Sequence, residues 1–324
     1  MTTELTNETD AIAKSASQAA PNIISLSNSP SEEIIRGVGD SLWIIALRRL
    51  RQDRLTMVAI GVLLFLTVLS FSAPLFAAAL QIDPDRVGTG EAFTPPFTGR
   101  HFLGTDDLGR DHFIRLLYAG QISLGIAFTA ATLALILGIA LGVYTGYYGG
   151  LVDDLMNWFI STLDSIPSLF LLILIFSLFR PGPPAMILVL GILGWTGTMR
   201  LVRGETFSLR EREFVIAARS IGASPFRTMF VHIAPNIFSI IIVTMALNIG
   251  GLILTESALS FLGFGVKIPT ASWGSMLTDV QTFYTKGPYL AVAPGLLIMI
   301  TVLCLFIIGD GLRDAFDPKL KEKA

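Results

Sequence analysis

Apolar residues in this chain come in long runs separated by short polar punctuation. Six runs approach or exceed the ~20 residues a helix needs to cross a bilayer: 55–80, a run within 120–144, 155–179, 184–199 continuing to 202, 236–255 and 289–308. Open strands leave backbone groups unsatisfied in lipid, so each run predicts a helix. The pattern predicts an all-α integral membrane protein with six transmembrane helices. Residues 1–40, rich in Ser, Thr, Asn and Ala, read as a disordered N-terminal tail. They lack the basic start and apolar core of a secretory signal. Segment 41–80 carries the first span, 81–118 is a loop on the outer side, 119–310 holds five more spans, and 311–324 is a C-terminal tail.

Basic residues orient this array. Arg36, Arg48, Arg49, Arg51 and Arg54 precede the first span. Arg200, Arg203, Arg210, Arg212, Arg219 and Arg227 lie around the connection between the fourth and fifth, and Arg313, Lys319, Lys321 and Lys323 follow the sixth. The other side holds Arg86, Arg100, Arg110, Arg115, Arg180, Lys267 and Lys286. The excess places both termini and the 203–235 loop in the cytoplasm, with the chain multi-pass in the cell membrane. The short connection after the second span carries Asp153 and Asp154 and gives this orientation no local support.

Composition agrees with the spans. The chain of 324 residues is 52% hydrophobic and 15% charged, whereas a soluble domain carries about 25% charge. Its one cysteine, Cys304, permits no internal disulfide, and His101, His112 and His232 stand in unrelated places, so no metal site is expected. There is no phosphate-cradling Gly-x-x-x-x-Gly-Lys-Ser/Thr, no His-Glu-x-x-His, no Gly-x-Ser-x-Gly and no Cys-x-x-Cys. No catalytic centre is expected, and nothing points to nucleic acid. Any uphill transport must draw its energy from another polypeptide.

The 203–235 loop is the most informative segment. Residues 210–220 suit a helix whose least bulky positions are Ala217 and Ala218, and Gly222 suits the left-handed turn that ends it. Ser224-Pro225 reads as an N-cap with proline at the first helical position. A second short helix runs to about His232, and Pro235-Asn236 breaks it. This helix–turn–helix can insert into a groove on a partner, or it can lie on the membrane surface as an ordinary amphipathic loop.

The same residues carry a resemblance. Ile216-Ala217-Ala218, Gly222 and Pro235 fall at the intervals of the "EAA" loop of ABC-importer permeases, with Ile216 in place of the Glu. The run Phe214-Val215-Ile216-Ala217-Ala218-Arg219-Ser220-Ile221-Gly222-Ala223-Ser224 resembles the peptide/nickel branch of that family. So do the run from Leu103 to Asp111 (LGTDDLGRD), the run from Glu256 to Gly265 (ESALSFLGFG) with Ser272-Trp273-Gly274, and Gly309-Asp310-Gly311-Leu312-Arg313-Asp314 with Asp317-Pro318. The chain is most similar to the second permease subunit of dipeptide, oligopeptide and nickel importers, the one with a short first external loop. The resemblance implies a type I ABC-importer permease forming half of a translocation pathway for peptides or a related small solute, nickel chelates included. It implies a sister permease subunit, two ABC ATPase subunits and an extracytoplasmic substrate-binding protein, besides membrane lipid. This chain would bind no cofactor; ATP and magnesium would sit on the ATPases. Glu213, Phe214, Ala217, Ala218, Arg219, Gly222, Ala223, Ser224 and Pro225 would form the ATPase-coupling loop. One departure stands out: Trp158 and Ser161 replace an Arg and an Asp common in the family at the start of the third span.

Other features leave alternatives open. Asp164, an acid inside a span, is a candidate pathway-lining residue or half of a structural pair. A proton-coupled secondary transporter using Asp164 is the alternative function. Pro167 predicts a gentle curvature. Gly138, Gly142, Gly146 and Gly150 predict a close helix contact, within this subunit rather than between subunits. Glu256 reads as a helix-end residue holding the external loop. Phe113, Ile114, Leu116 and Leu117 read as a surface anchor, with Asp106, Asp107 and Asp111 facing water.

Overall fold

The structure is a computed structural model that describes residues 42–316 other than Thr89, Pro181 and Tyr284. The expected N-terminal tail, and Asp317, Pro318, Lys319, Lys321 and Lys323 of the C-terminal tail, lie outside the described residues. Every regular element among the described residues is helical. Helix α1 (Leu42–Gln52) is basic in its last turn, with Arg49 and Arg51. The chain divides into an N-terminal unit ending at Arg48 and a main body that begins at Arg49.

The main body opens with α2 (Arg54–Phe71), whose Asp53 N-cap accepts a hydrogen bond from the Leu55 amide. The first apolar run does not stay one helix. It ends at Ser72 and restarts as α3 (Ala73–Leu80), with Pro74 in its first turn, where proline costs no hydrogen bond. Helix α4 (His112–Tyr148) has 37 residues. At 1.5 Å per residue it is roughly 55 Å long, so it outreaches a ~30 Å hydrocarbon core and its first turns belong to the outer loop.

The third run is α5 (Gly150–Asp164) and α6 (Ser168–Phe179), bent by 72°. Simple curvature was expected at Pro167, and the break is sharper because Ser165, Ile166 and Pro167 all leave the helix. The fourth run is α7 (Pro183–Leu193) and α8 (Trp195–Arg210), interrupted at Gly194. After the short α9 (Glu213–Ser220) the chain enters a long helix, α10 (Pro225–Phe261). Pro235 was expected to break that helix, but the chain passes through it. A π-helical stretch over Thr228–Ile233 and a 3-10 turn over Ala234–Ile237 absorb the missing N–H, and the Asn236 amide donates to the His232 carbonyl at 2.7 Å. Helices α11 (Trp273–Phe283) and α12 (Tyr289–Phe316) complete the body. Among the described residues five helices are long and apolar enough to span a membrane, or six if α5 and α6 together form one span.

Helix α4 is central, and its glycine row explains how. A methyl on Gly138 would sit 2.7 Å from Thr198, on Gly142 2.8 Å from the Met199 carbonyl, and on Gly146 2.6 Å from Thr206. The row is therefore the seam against α8, within the subunit as expected. Gly150 lies beyond it, with open space around its Cα. Apolar side chains fill the remaining space in clusters, one around Trp273, Ile253 and Leu305, another around Phe176, Met186 and Leu259.

Candidate coupling surface and pathway site

The segment after α8 folds as a helix–turn–helix. Helix α9 ends at Ser220, and two residues on Gly222 has a φ of +90°, a left-handed value natural to glycine. The Ala223 amide donates back to the Ala218 carbonyl at 3.0 Å. Ser224 then caps the next helix, its hydroxyl accepting from the Arg227 amide at 3.3 Å, with Pro225 at the first position. Val215 (0% exposed) and Ala218 (6%) face inward, Val215 in a cluster with Val143, Val202, Met229 and Ile233. Ala218 thus packs the loop onto its own subunit. The outward rim is apolar: Phe214, Ile216, Ile221 (88% exposed), Phe226 (69%), Phe230 and Val231. Glu213, Ala217, Arg219, Gly222, Ser224 and Pro225 are also exposed, and Ala223 is half-buried.

Arginines tie this loop to the bundle. The Arg203 guanidinium makes a two-pronged contact with Asp153, which is buried at the start of α5. Arg210 reaches the Gly146 carbonyl at 3.2 Å, where it complements the negative end of α4. Arg203 and Arg210 both lie over the Phe207 ring, and Arg219 lies 4.7 Å from the centre of the Tyr147 ring. Sequence reading counted these arginines as topology markers. Their partners lie up to 64 positions away, and no local pattern announces them.

Asp164 sits where α5 breaks. Its carboxylate forms an ion pair with Arg200, 2.8 Å from Nη1, and accepts from the Thr196 hydroxyl at 3.3 Å. The side chains remain 38% and 43% exposed, so the pair is half-open rather than buried. A cavity of about 160 Å³ lies beside it, lined by Asp164, Ser168, Leu190, Gly194, Thr196 and Thr255 among others.

The outer end overturns one expectation. Ile114, Leu116 and Leu117 are buried in the protein rather than anchored at a surface. Asp106 and Asp111 are buried too. Asp106 holds Arg110 at 2.7 Å and the Leu108 and Arg110 amides. Asp111 caps α4 through the Ile114 amide and meets His101 at 2.7 Å. Carboxylates with such partners can leave water. Glu256, read as a helix-end residue close to water, lies instead inside α10 and reaches the external loop only through the serines around it. Fully buried, it accepts from Ser260 at 2.7 Å and Ser123 at 3.2 Å, and Ser123 in turn receives the Trp273 amide at 3.0 Å.

Comparison with known proteins gives this geometry its context. The family described as binding-protein-dependent transport system inner membrane component matches residues 138–322, and the N-terminal TM domain of oligopeptide transport permease C matches residues 41–96. The oligopeptide transport system permease protein OppC of Bacillus subtilis (strain 168) is 37% identical over 282 residues, covering 87% of this chain and 91% of that protein. OppC of Escherichia coli (strain K12) is 37% identical over 281 residues, covering 87% and 92%. The dipeptide transport system permease protein DppC of Bacillus subtilis (strain 168) is 37% identical over 277 residues, covering 85% of each. The chain belongs to the family of binding-protein-dependent inner membrane transport components, and is a non-catalytic permease subunit of an ABC importer.

Proposed function

We propose that this permease carries peptides inward, forming half of the pathway with a sister permease subunit. Two ATPase subunits, carrying ATP and magnesium, dock on the 203–235 loops, and an extracytoplasmic binding protein delivers the substrate. Both termini and the coupling loop face the cytoplasm, on the strength of the basic-residue distribution. The observation that carries the coupling role is the apolar rim Ile221, Phe226, Phe230 and Val231 on a helix–turn–helix pinned to the bundle by its buried face. An exposed apolar patch on a rigid element marks a contact site. Here it would pass the closure of the ATPases to α8 and α10, which flank the loop in the chain. Asp164 lines the pathway beside the break between α5 and α6. The peptide substrate rests on the likeness to oligopeptide and dipeptide permeases along most of the chain.

The test is reconstitution in proteoliposomes with the cognate ATPases, sister subunit and binding protein. ATP-dependent accumulation of di- to pentapeptides is expected. Accumulation of a nickel chelate but no peptide would refute the substrate. Uptake driven by a proton gradient without ATP would refute the mechanism.

A further inference from the structure

One span is broken beside another that runs on. The α5/α6 break at Ser165–Pro167 and Gly194, where the Pro183–Arg210 span continues with helical backbone, both border the cavity of about 160 Å³. Irregular backbone at membrane depth persists only where it is buried in protein or lines a watery cavity. Polar groups gather there: Asp164, Ser168, Thr196 and Thr255 line the cavity, and Arg200 reaches Asp164 from α8. Asp164 ends a 15-residue helix and Arg200 lies 10 residues before the end of α8, so each stands roughly 15–20 Å from the helix terminus on the coupling-loop side. A charge facing lipid at such a depth costs about 2.5–3.5 kcal/mol or more. The half-open pair therefore does not face lipid.

We infer that Asp164 and Arg200 recognise the charged ends of a peptide in transit. This rests on the peptide reading above and assigns that substrate its contact. A free peptide carries an ammonium and a carboxylate, and the pair offers the matching carboxylate and guanidinium. The closest approach of the pair is Nη1 of Arg200 to Oδ2 of Asp164 at 2.8 Å. A guanidinium presents five donors in a fork that fits a carboxylate with two parallel bonds. As the pair parts, Arg200 takes the peptide carboxylate and Asp164 takes the ammonium, so neither protein charge is left without a counter-ion. Thr196, which donates to Asp164 from the start of α8, keeps the carboxylate aimed at the cavity.

The test uses the complete importer in proteoliposomes, with Cys304→Ser as background. Thr196→Cys should react with a small hydrophilic thiol reagent in at least one nucleotide state, and peptide-loaded binding protein should slow that reaction. No reaction in any state would place the pair against the sister subunit and overturn the proposal. Arg200→Gln should lower uptake of a free-carboxylate peptide at least about 10-fold, the scale of one lost charge-assisted hydrogen bond. It should lower uptake of the corresponding C-terminal amide less, using peptides that the binding protein binds in both forms. Arg200→Lys should restore most of the uptake. The double variant Asp164→Leu with Arg200→Met separates recognition from bracing, because an apolar pair can replace a purely structural ion pair without loss. An intact double variant with wild-type uptake, or an equal loss on acid and amide in Arg200→Gln, would overturn recognition while leaving peptide transport standing. A wild-type importer that accumulates no peptide would overturn both.

Discussion

Replacing Phe226 by alanine separates docking from folding. Phe226 leaves 69% of its surface open and rests on Phe230 with ring centres 4.6 Å apart. It belongs to no core cluster, so its loss should leave the loop folded. Complete burial of a large apolar side chain is worth about 1.5–3 kcal/mol, and covering the open two-thirds of this one is worth about 1–2 kcal/mol. Phe226→Ala should therefore weaken ATPase binding roughly 5- to 30-fold. The assay is titration of purified ATPase onto the permease pair in nanodiscs, with thermal unfolding of the permease measured in parallel. Ala218→Trp is a poorer probe. Its site is 6% exposed on the inward face, and a large side chain there would damage the subunit itself. ATPase affinity within twofold of wild type, with the unfolding midpoint unchanged, would remove the rim from the coupling contact and refute the reasoning.

Three further outcomes follow from other parts of the molecule. Ser208 is exposed on α8 within the 203–235 segment; Ser208→Cys with Cys304→Ser should resist an impermeant thiol reagent in intact cells and react after permeabilisation, whereas labelling from outside would reverse the orientation. Gly142→Val puts a side chain 2.8 Å from the Met199 carbonyl and should destabilise the subunit by about 1–3 kcal/mol, while Gly125→Ala, with nothing within 4 Å, should be neutral; equal unfolding midpoints for the two would refute the seam. Glu256→Leu leaves the hydroxyls of Ser123 and Ser260 without their shared acceptor, at about 1–3 kcal/mol each, so residues 265–275 should become readily cleaved by protease from outside; unchanged resistance would show that Glu256 does not hold that loop.

How much of this was legible in the sequence depends on how local each cause is. Apolarity is a property of a run, so the six runs and the glycine row could be read directly. The bend at Pro167 was visible as a proline, but its 72° was not, because its size depends on what packs beside Ser165 and Ile166. Asp106 and Asp111 read as wet because a carboxylate alone prefers water. Arg110, His101 and the helix amides that let them be buried are supplied by the fold. Ala218 reads in the sequence as one of the least bulky positions of a helix that could dock on a partner. Which side approaches it could not be read: in the structure it is the subunit's own core.

The same distinction explains why Arg200 escaped notice while Asp164 did not. An acid inside an apolar run is conspicuous at any window length. An arginine near the end of a run is ordinary and was counted as a marker of the inner side. Only the fold shows that the arginines of α8 find partners at two separate places. Arg203 and Arg210 fasten the coupling-loop end to α5 and α4, through Asp153 and the Gly146 carbonyl. Arg200, nearer Gly194, meets Asp164 at the cavity. The glycine seam holds this helix against α4 along Gly138, Gly142 and Gly146, a contact with no spare room for a methyl group. One helix therefore carries, along a single close seam, the arginines beside the proposed coupling surface and the Arg200 of the proposed pathway site.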